Sequence, residues 1–251
     1  MAIREPGILG EELRLKRILR EPRIGSYLKT TETGEHYLIS SGRHTAELYQ
    51  MAMAFRFGEV RKLTSDIIVE RIRNSPLKDE IDVLVGVAMG SIPLVYELQR
   101  DPLLMHTEAI WVEKERDPLR IRELKHRRAE RFKKEIPWQR PEFVVGHNFR
   151  INPDKRVLVV EDVITTGATI RAVIDACCDY NDPDDPEGKG DPRAEANIVG
   201  VVAVINRMPA DTDMLKISPV IEILWALRDP LVSWTPDECP LDAMGIPLKR
   251  I

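Results

Sequence analysis

Val157-Leu158-Val159-Val160-Glu161-Asp162-Val163-Ile164-Thr165-Thr166-Gly167-Ala168-Thr169 is the stretch on which the reading of this sequence turns. Its apolar start predicts a buried strand, two adjacent carboxylates close it, and a small-residue loop rich in hydroxyls opens a helix. Each part suits a phosphorylated sugar. Successive backbone amides at a helix start, with threonine hydroxyls beside them, make a concave set of donors for a phosphate. Gly167 lets that backbone approach closely. Alternate strand residues point to opposite sides, so Glu161 and Asp162 can address two neighbouring hydroxyls or a metal-bound water. Acids this deep at a strand end need a partner, which separates the stretch from a chance strand-turn-helix. The loop has no Gly-Lys-Thr/Ser ending and is therefore not a Walker A loop.

The surrounding pattern repeats the strand-then-helix theme. Residues 81–87 form a short run rich in β-branched side chains, and a helix-compatible segment follows at 92–99. Further strands are expected at 109–112, 156–160 and 198–205, with a helix at 169–178. This alternation predicts an α/β fold, a parallel sheet flanked by helices, with ligands gathered at loops beyond the carboxyl ends of the strands. Upstream, Ile8, Leu9, Leu13, Leu15, Ile18 and Leu19 recur at helical spacing and stop near Pro22. Residues 24–42, carrying Gly25, Gly34 and Gly42, read as a hairpin-rich cap, and 45–57 and 65–73 read as helices. The expectation is a single domain over 1–251: a small N-terminal hood with its helices (1–64), a core (65–208) and a C-terminal extension (209–251).

Composition narrows the function. The 251 residues are 43% hydrophobic and 31% charged, with 37 basic and 41 acidic side chains and a net charge of −4. That excludes a disordered chain, a collagen-like fibre and a globally basic nucleic-acid coat. The best uncharged apolar run, Val83 to Tyr96, is too short to span a bilayer. The N-terminus lacks the apolar core of a secretory signal, so a cytoplasmic protein without membrane contact is expected. Cys177, Cys178 and Cys239 are read as free thiols. In Cys239-Pro240-Leu241-Asp242 an aspartate stands where a second zinc-ligating cysteine would be needed, and Cys239 is read as packing. His36, His106 and His147 show no metal-ligand spacing and are read as structural or surface groups. Residues 116–134 carry a local charge of +6, leaving −10 for the rest. They read as a solvated helix face, or as a cationic lid over an anionic ligand. Residues 179–193, rich in Asn, Asp, Pro and Gly, read as a solvated loop without chemistry.

The stretch at 157–169 resembles the signature of the type I phosphoribosyltransferases, which bind phosphoribosyl pyrophosphate (PRPP). The resemblance implies that Glu161 and Asp162 bind the ribose hydroxyls and that Thr165, Thr166, Gly167, Ala168 and Thr169 wrap the 5′-phosphate. Gly86-Val87-Ala88-Met89-Gly90 is similar to the family's pyrophosphate loop, placing Ala88, Met89 and Gly90 in the PRPP site. Val112-Glu113-Lys114-Glu115 resembles the start of a mobile catalytic loop, with Lys114 neutralising the leaving pyrophosphate; Lys114 and Asp162 are thus the implied catalytic pair. Two stretches resemble the orotate subfamily. Leu38-Ile39-Ser40-Ser41-Gly42-Arg43-His44, followed by Tyr49, is similar to its hood and brings Ser41 and Gly42 to the base. Asn206-Arg207 is similar to its Asp-Arg, whose arginine meets the orotate carboxylate. Asp117 and Leu119 stand where that subfamily has a second lysine and a histidine, for which Arg116, Arg120, Lys125 or His126 would have to substitute. The resemblance implies transfer of phosphoribosyl from PRPP to orotate, pyrophosphate release, Mg²⁺ carried by PRPP rather than by protein ligands, and a homodimer. The alternatives are salvage of a purine or another base, and a PRPP-responsive regulator that binds nucleic acid through 116–134; nucleic acid is not the expected partner.

Overall fold

The computed structural model describes residues 6–39, 42–132, 135–136, 141–146, 149, 151–152, 154–178, 196–208 and 221–250. In chain order, the N-terminal part contains α1 (Pro6–Leu19), β1 (Tyr27–Lys29), α2 (Thr30–Thr33), β2 (His36–Leu38), β3 (His44–Thr45), β4 (Glu47–Tyr49), α3 (Met51–Ala54) and α4 (Gly58–Arg73). Then come β5 (Val83–Val87), α5 (Ile92–Leu98), β6 (Glu108–Lys114), α6 (Pro118–Phe132), β7 (Phe143–Val145), β8 (Arg156–Ile164), α7 (Ala168–Cys178) and β9 (Asn197–Asn206). The chain closes with β10 (Glu222–Arg228), β11 (Ser233–Trp234), α8 (Pro240–Ala243) and β12 (Leu248–Arg250).

Six strands in the order β10-β9-β8-β5-β6-β7 build the main sheet, parallel throughout except for β7 against β6. The unbroken apolar runs of β5 and β8 are explained by cover on both faces. Leu84, Leu158, Val160, Val202 and Val204 pack with residues of α1, α4 and α5, while Val83, Val85, Val157, Val159 and Val201 pack with α7. Successive residues of one strand thus feed two separate cores. The sequence turns from β5 towards β6 on one side and from β8 towards β9 on the other. The carboxyl ends of β5 and β8 therefore flank the crevice where the strand order reverses, the place where ligands bind in such sheets.

Several expectations change. Residues 45–57 are not one helix: Thr45 pairs with Tyr37 and Ser233, Glu47–Tyr49 pair with β1, and only a single turn at α3 is helical. Strand partners outweighed a helix-compatible apolar pattern. The helix expected from 65 begins at Gly58, and the strand expected at 156–160 continues to Ile164 because β9 runs beside it, Val163 pairing Ile205 and Ile164 pairing Asn206. Beyond 208, β10 adds a sixth core strand parallel to β9, while β11 and β12 join the hood. The segment expected as a solvated loop at 179–193 lies outside the described residues. Among the described residues no helix is long and apolar enough to cross a membrane.

Candidate active site

β8 delivers its two carboxylates into the crevice and α7 begins four residues later. A cavity of about 250 Å³ lies there, lined by Glu161 through Ile170 on one side and by Leu38, Ile39, Tyr49, Arg207 and Leu231 on the others. Core, hood and the segment after β10 all contribute a wall.

Glu161 is buried, and its Oε2 has no hydrogen-bond partner among the described residues. Burial first, and the neighbouring charge of Asp162 second, push its carboxyl well above the usual range. Asp162 is raised as well, by burial opposed by hydrogen bonds to backbone N–H groups, including that of Val163, which donates to Oδ1 at 2.7 Å. Two carboxylates held this way are short of donors, and the chemistry that suits them is a pair of hydroxyls or a cation arriving with a ligand. The loop after them turns on Gly167, at φ 74°, a left-handed conformation costly for a side-chain-bearing residue. As α7 begins, Arg171 N–H donates to Gly167 O and Ala168 N–H reaches Thr166 Oγ1 at 3.4 Å, so the first turn of the helix presents its amides and a threonine hydroxyl together. Thr165, Thr166, Gly167, Ala168 and Thr169 all line the cavity.

The loop after β5 is held independently. Ser91 Oγ accepts from Val87 N–H at 2.6 Å and donates to Val87 O at 3.0 Å, and Ala88 N–H donates to Val112 O. The Ala88–Met89 peptide is cis, and Met89 is 82% exposed. Gly90 faces Asp162 directly, so this loop and the acid pair meet although seventy residues of sequence separate them.

Arg207, at the end of β9, is 2% exposed. Nη1 donates to Glu47 O at 3.0 Å, Nε to Asp229 O at 3.2 Å, and Nη2 lies 3.5 Å from Glu47 Oε2, with the guanidinium 5.2 Å from the Tyr49 ring centre. Burial lowers its pKa, opposed by Asp229, Tyr49 and Glu47, and the guanidinium borders the cavity. Asn206 Oδ1 accepts from Met208 N–H and serves the turn after the strand.

Other sequence-derived residues fall elsewhere. Lys114 is exposed at the end of β6, paired in register with Phe143. Gly42, at φ 78°, forms the β2–β3 turn, and Ser41 lies outside the described residues, as does His147. The basic segment is largely a helix, α6, and two of its cations are core groups: Lys125 Nζ lies 3.2 Å from Glu142 Oε1, Arg128 pairs with Glu142 Oε2, and Arg128 also donates to Phe143 O. Lys125 is therefore held away from the role of a substitute loop lysine. Arg120 pairs with Glu115, and His126 with Glu130, on the helix surface. Sequence reasoning missed Leu231 and the anchoring of Tyr49 through Asp229, for which no local motif exists; it named Tyr49 without a role.

Residues 57–181 match the phosphoribosyl transferase domain family. The chain is 26% identical over 218 residues to the orotate phosphoribosyltransferase of Caldicellulosiruptor bescii, covering 86% of this chain and 87% of that protein. It is likewise 26% identical over 215 residues to the orotate phosphoribosyltransferase of Thermotoga maritima, covering 86% and 88%. Among solved structures, a phosphoribosyltransferase of Corynebacterium diphtheriae superposes with a TM-score of 0.51 at 17% identity, over 87% of this chain and 96% of the other. The orotate phosphoribosyltransferase of Mycobacterium tuberculosis gives 0.50 at 18% identity with the same coverage. These two likenesses establish the fold.

Proposed function

This chain belongs to the phosphoribosyltransferases, and from that premise we propose that it joins the phosphoribosyl group of PRPP to orotate with release of pyrophosphate. The single observation that carries the reading is the convergence of the Glu161–Asp162 pair, the Thr165–Thr169 loop and Gly90 on one crevice. In such a transfer the anomeric C–O bond breaks as a nitrogen of the base bonds to the same carbon, and the ribose passes through an oxocarbenium-like state. Asp162 and Glu161, as carboxylates holding the ribose hydroxyls, favour that developing positive charge. The Thr165–Thr169 amides and hydroxyls anchor the 5′-phosphate, fixing the sugar against the acids. Ala88, Met89 and Gly90 present backbone to the pyrophosphate, and Lys114, reaching over from the end of β6 in the other subunit of a homodimer, neutralises it as it leaves. The donor-poor Glu161 and Asp162 fit a Mg²⁺–PRPP complex, in which the metal would offset diphosphate charge. The hood residues Leu38 and Ile39 exclude water from a sugar that would otherwise be hydrolysed.

Orotate is favoured over other bases by the names of the curated relatives and by Arg207. A buried guanidinium beside a cavity suits an anionic base, and a planar fork suits a carboxylate. The basic segment offers a nucleic-acid reading less than its charge suggests, since Lys125 and Arg128 are buried against Glu142. A homodimer in which Lys114 serves the neighbouring site is part of the proposal. Mixed Lys114→Ala and Asp162→Asn chains then recover activity at one hybrid site, whereas an active monomer overturns the sharing. The deciding experiment is PRPP-dependent pyrophosphate release with orotate, uracil, adenine, guanine and hypoxanthine. Orotate should be the best acceptor. A purine as best acceptor overturns the base assignment, and no turnover with any base overturns the whole reading.

A further inference from the structure

Away from the cavity, four side chains able to bind a transition metal converge at the junction of hood and C-terminal segment. His36 lies on β2 and His44 on β3, in the sheet ordered β11-β3-β2-β12. His44 pairs in register with Leu38, so His36, two residues back, stands diagonal to it on the same face. Both outer strands of this sheet come from the C-terminal segment, and α8 joins them, with Cys239 just before its first turn and Asp242 three residues on. His36 Nε2 and His44 Nδ1 are 3.2 Å apart. Asp242 Oδ1 is 3.2 Å from the first, and Asp242 Oδ2 is 2.7 Å from the second. Together with Cys239, which is buried, the four ligand atoms all lie within 4.8 Å of one another.

We propose that His36, His44, Cys239 and Asp242 form a structural Zn²⁺ site that clamps the C-terminal segment onto the hood. Ligands at the usual 2.0–2.3 Å from zinc are separated by about 3.3–3.8 Å along a tetrahedron's edges, so the observed spacings need only small movements to close on an ion. Two imidazoles, a thiolate and a carboxylate make a donor set that favours zinc over magnesium or calcium, which prefer oxygen. Hydrogen bonding alone accounts poorly for the cluster. If both rings donate to Asp242, two N–H groups face each other at 3.2 Å in the interior, where His36 is fully buried. All four ligands come from protein, which marks a structural rather than a catalytic site. The Cys-x-x-Asp spacing that lacks half a zinc knuckle in sequence finds its other half in the hood.

The test uses the full chain without an affinity tag, stripped with chelator and titrated with Co²⁺ and then Zn²⁺, with no PRPP present. One equivalent of Co²⁺ should produce the intense visible bands of tetrahedral cobalt and a near-ultraviolet thiolate charge-transfer band, both erased by one equivalent of Zn²⁺. Cys239→Ser should remove the charge-transfer band, and Asp242→Asn, a change at a partly exposed side chain, should weaken Zn²⁺ binding by about tenfold or more. Glu161→Gln should leave the cobalt spectrum intact, which separates this site from the acid pair. Zn²⁺ should also raise the melting temperature of the wild type and protect residues 229–250 from proteolysis, but do neither in Cys239→Ser. No stoichiometric cobalt spectrum, a six-coordinate one, or one unchanged in Cys239→Ser overturns the proposal whatever base the enzyme uses.

Discussion

The carboxylate of Asp162 lies against the backbone of Gly90: a β-carbon added at position 90 would sit 2.9 Å from Asp162 Cγ and closer still to Oδ2. The loop that ends β5 and the acids that end β8 are therefore set by each other. Gly90 is required here by proximity, since its φ is not in the left-handed region.

Gly90→Ala should fold, because the intruding methyl meets a side chain at the crevice rather than the core, yet it should displace Asp162. A turnover loss of roughly a hundredfold is expected, as misplacing a reacting group by about an ångström has that consequence. Steady-state kinetics beside the circular dichroism of the same sample decide it. Wild-type turnover would show that the contact carries no catalytic weight.

Glu161 sets stability against function. Its folded-state pKa lies above the unfolded value through burial and the charge of Asp162, so its contribution is favourable below the unfolded pKa and is lost as pH rises through the folded one. Glu161→Gln should therefore raise the melting temperature of the ligand-free protein at pH 8, leave it nearly unchanged at pH 4, and abolish PRPP binding. Melting curves at the two pH values, with PRPP calorimetry, test both halves.

Asp229 gathers α1 and the hood onto the end of the core sheet: Lys16 Nζ at 2.7 Å, Arg20 Nη2 at 3.1 Å and the Tyr49 hydroxyl at 2.8 Å all reach its carboxylate. Burial pulls its pKa up, but hydrogen bonds from Lys16 and Tyr49 and the charges of Lys16 and Arg20 outweigh it and hold it low. That stability is present above the unfolded carboxyl pKa and lost as pH falls through the lower folded value. Asp229→Asn should cost about 1–2 kcal/mol near neutrality, kept small because Lys16 and Arg20 are a third exposed. It should also raise the KM for the base more than that for PRPP, because Tyr49 borders the cavity. Urea denaturation and paired KM measurements check the prediction.

Glu142 is the counter-charge for buried Lys125 and Arg128. Glu142→Gln should destabilise the protein by about 3–5 kcal/mol, the usual consequence of leaving buried charge without its partner. It should also expose α6 to protease. An unchanged denaturation midpoint would mean that α6 is loosely attached.

How much of this was legible beforehand follows from the range of the interactions. The strands at 81–87, 156–160 and 198–205 were readable because both faces of a parallel strand are buried and the apolar run is local. The acids and the Thr165–Thr169 loop were readable for the same reason: one short segment contains the strand end, the turn and the helix start. Residues 45–57 were misread because their apolar positions fit a helix locally, while the strand pairings of Thr45 lie with Tyr37 and with Ser233, far along the chain. The environment of Arg207 was hidden likewise, since Glu47 and Asp229 are both distant in sequence. Lys125 and Arg128 looked like surface charge because nothing nearby in sequence announces Glu142 as their buried partner.

The parallel pairing of β12 with β2 places Lys249 Nζ 2.8 Å from Glu35 Oε2 across 214 positions of chain. A ribosome therefore releases the first strands of the hood long before it makes their neighbours. The main sheet gains its strands in nearly sequential order and can assemble as it emerges, but the β2–β3 pair must wait with both outer edges open until residues 233–250 have been made. Unpaired strand edges of this kind invite pairing with other chains. The birth of this protein thus contains an interval in which the acid pair and the loop after it have formed while the outer hood strands have not, and a nascent-chain chaperone would find its natural substrate in that interval.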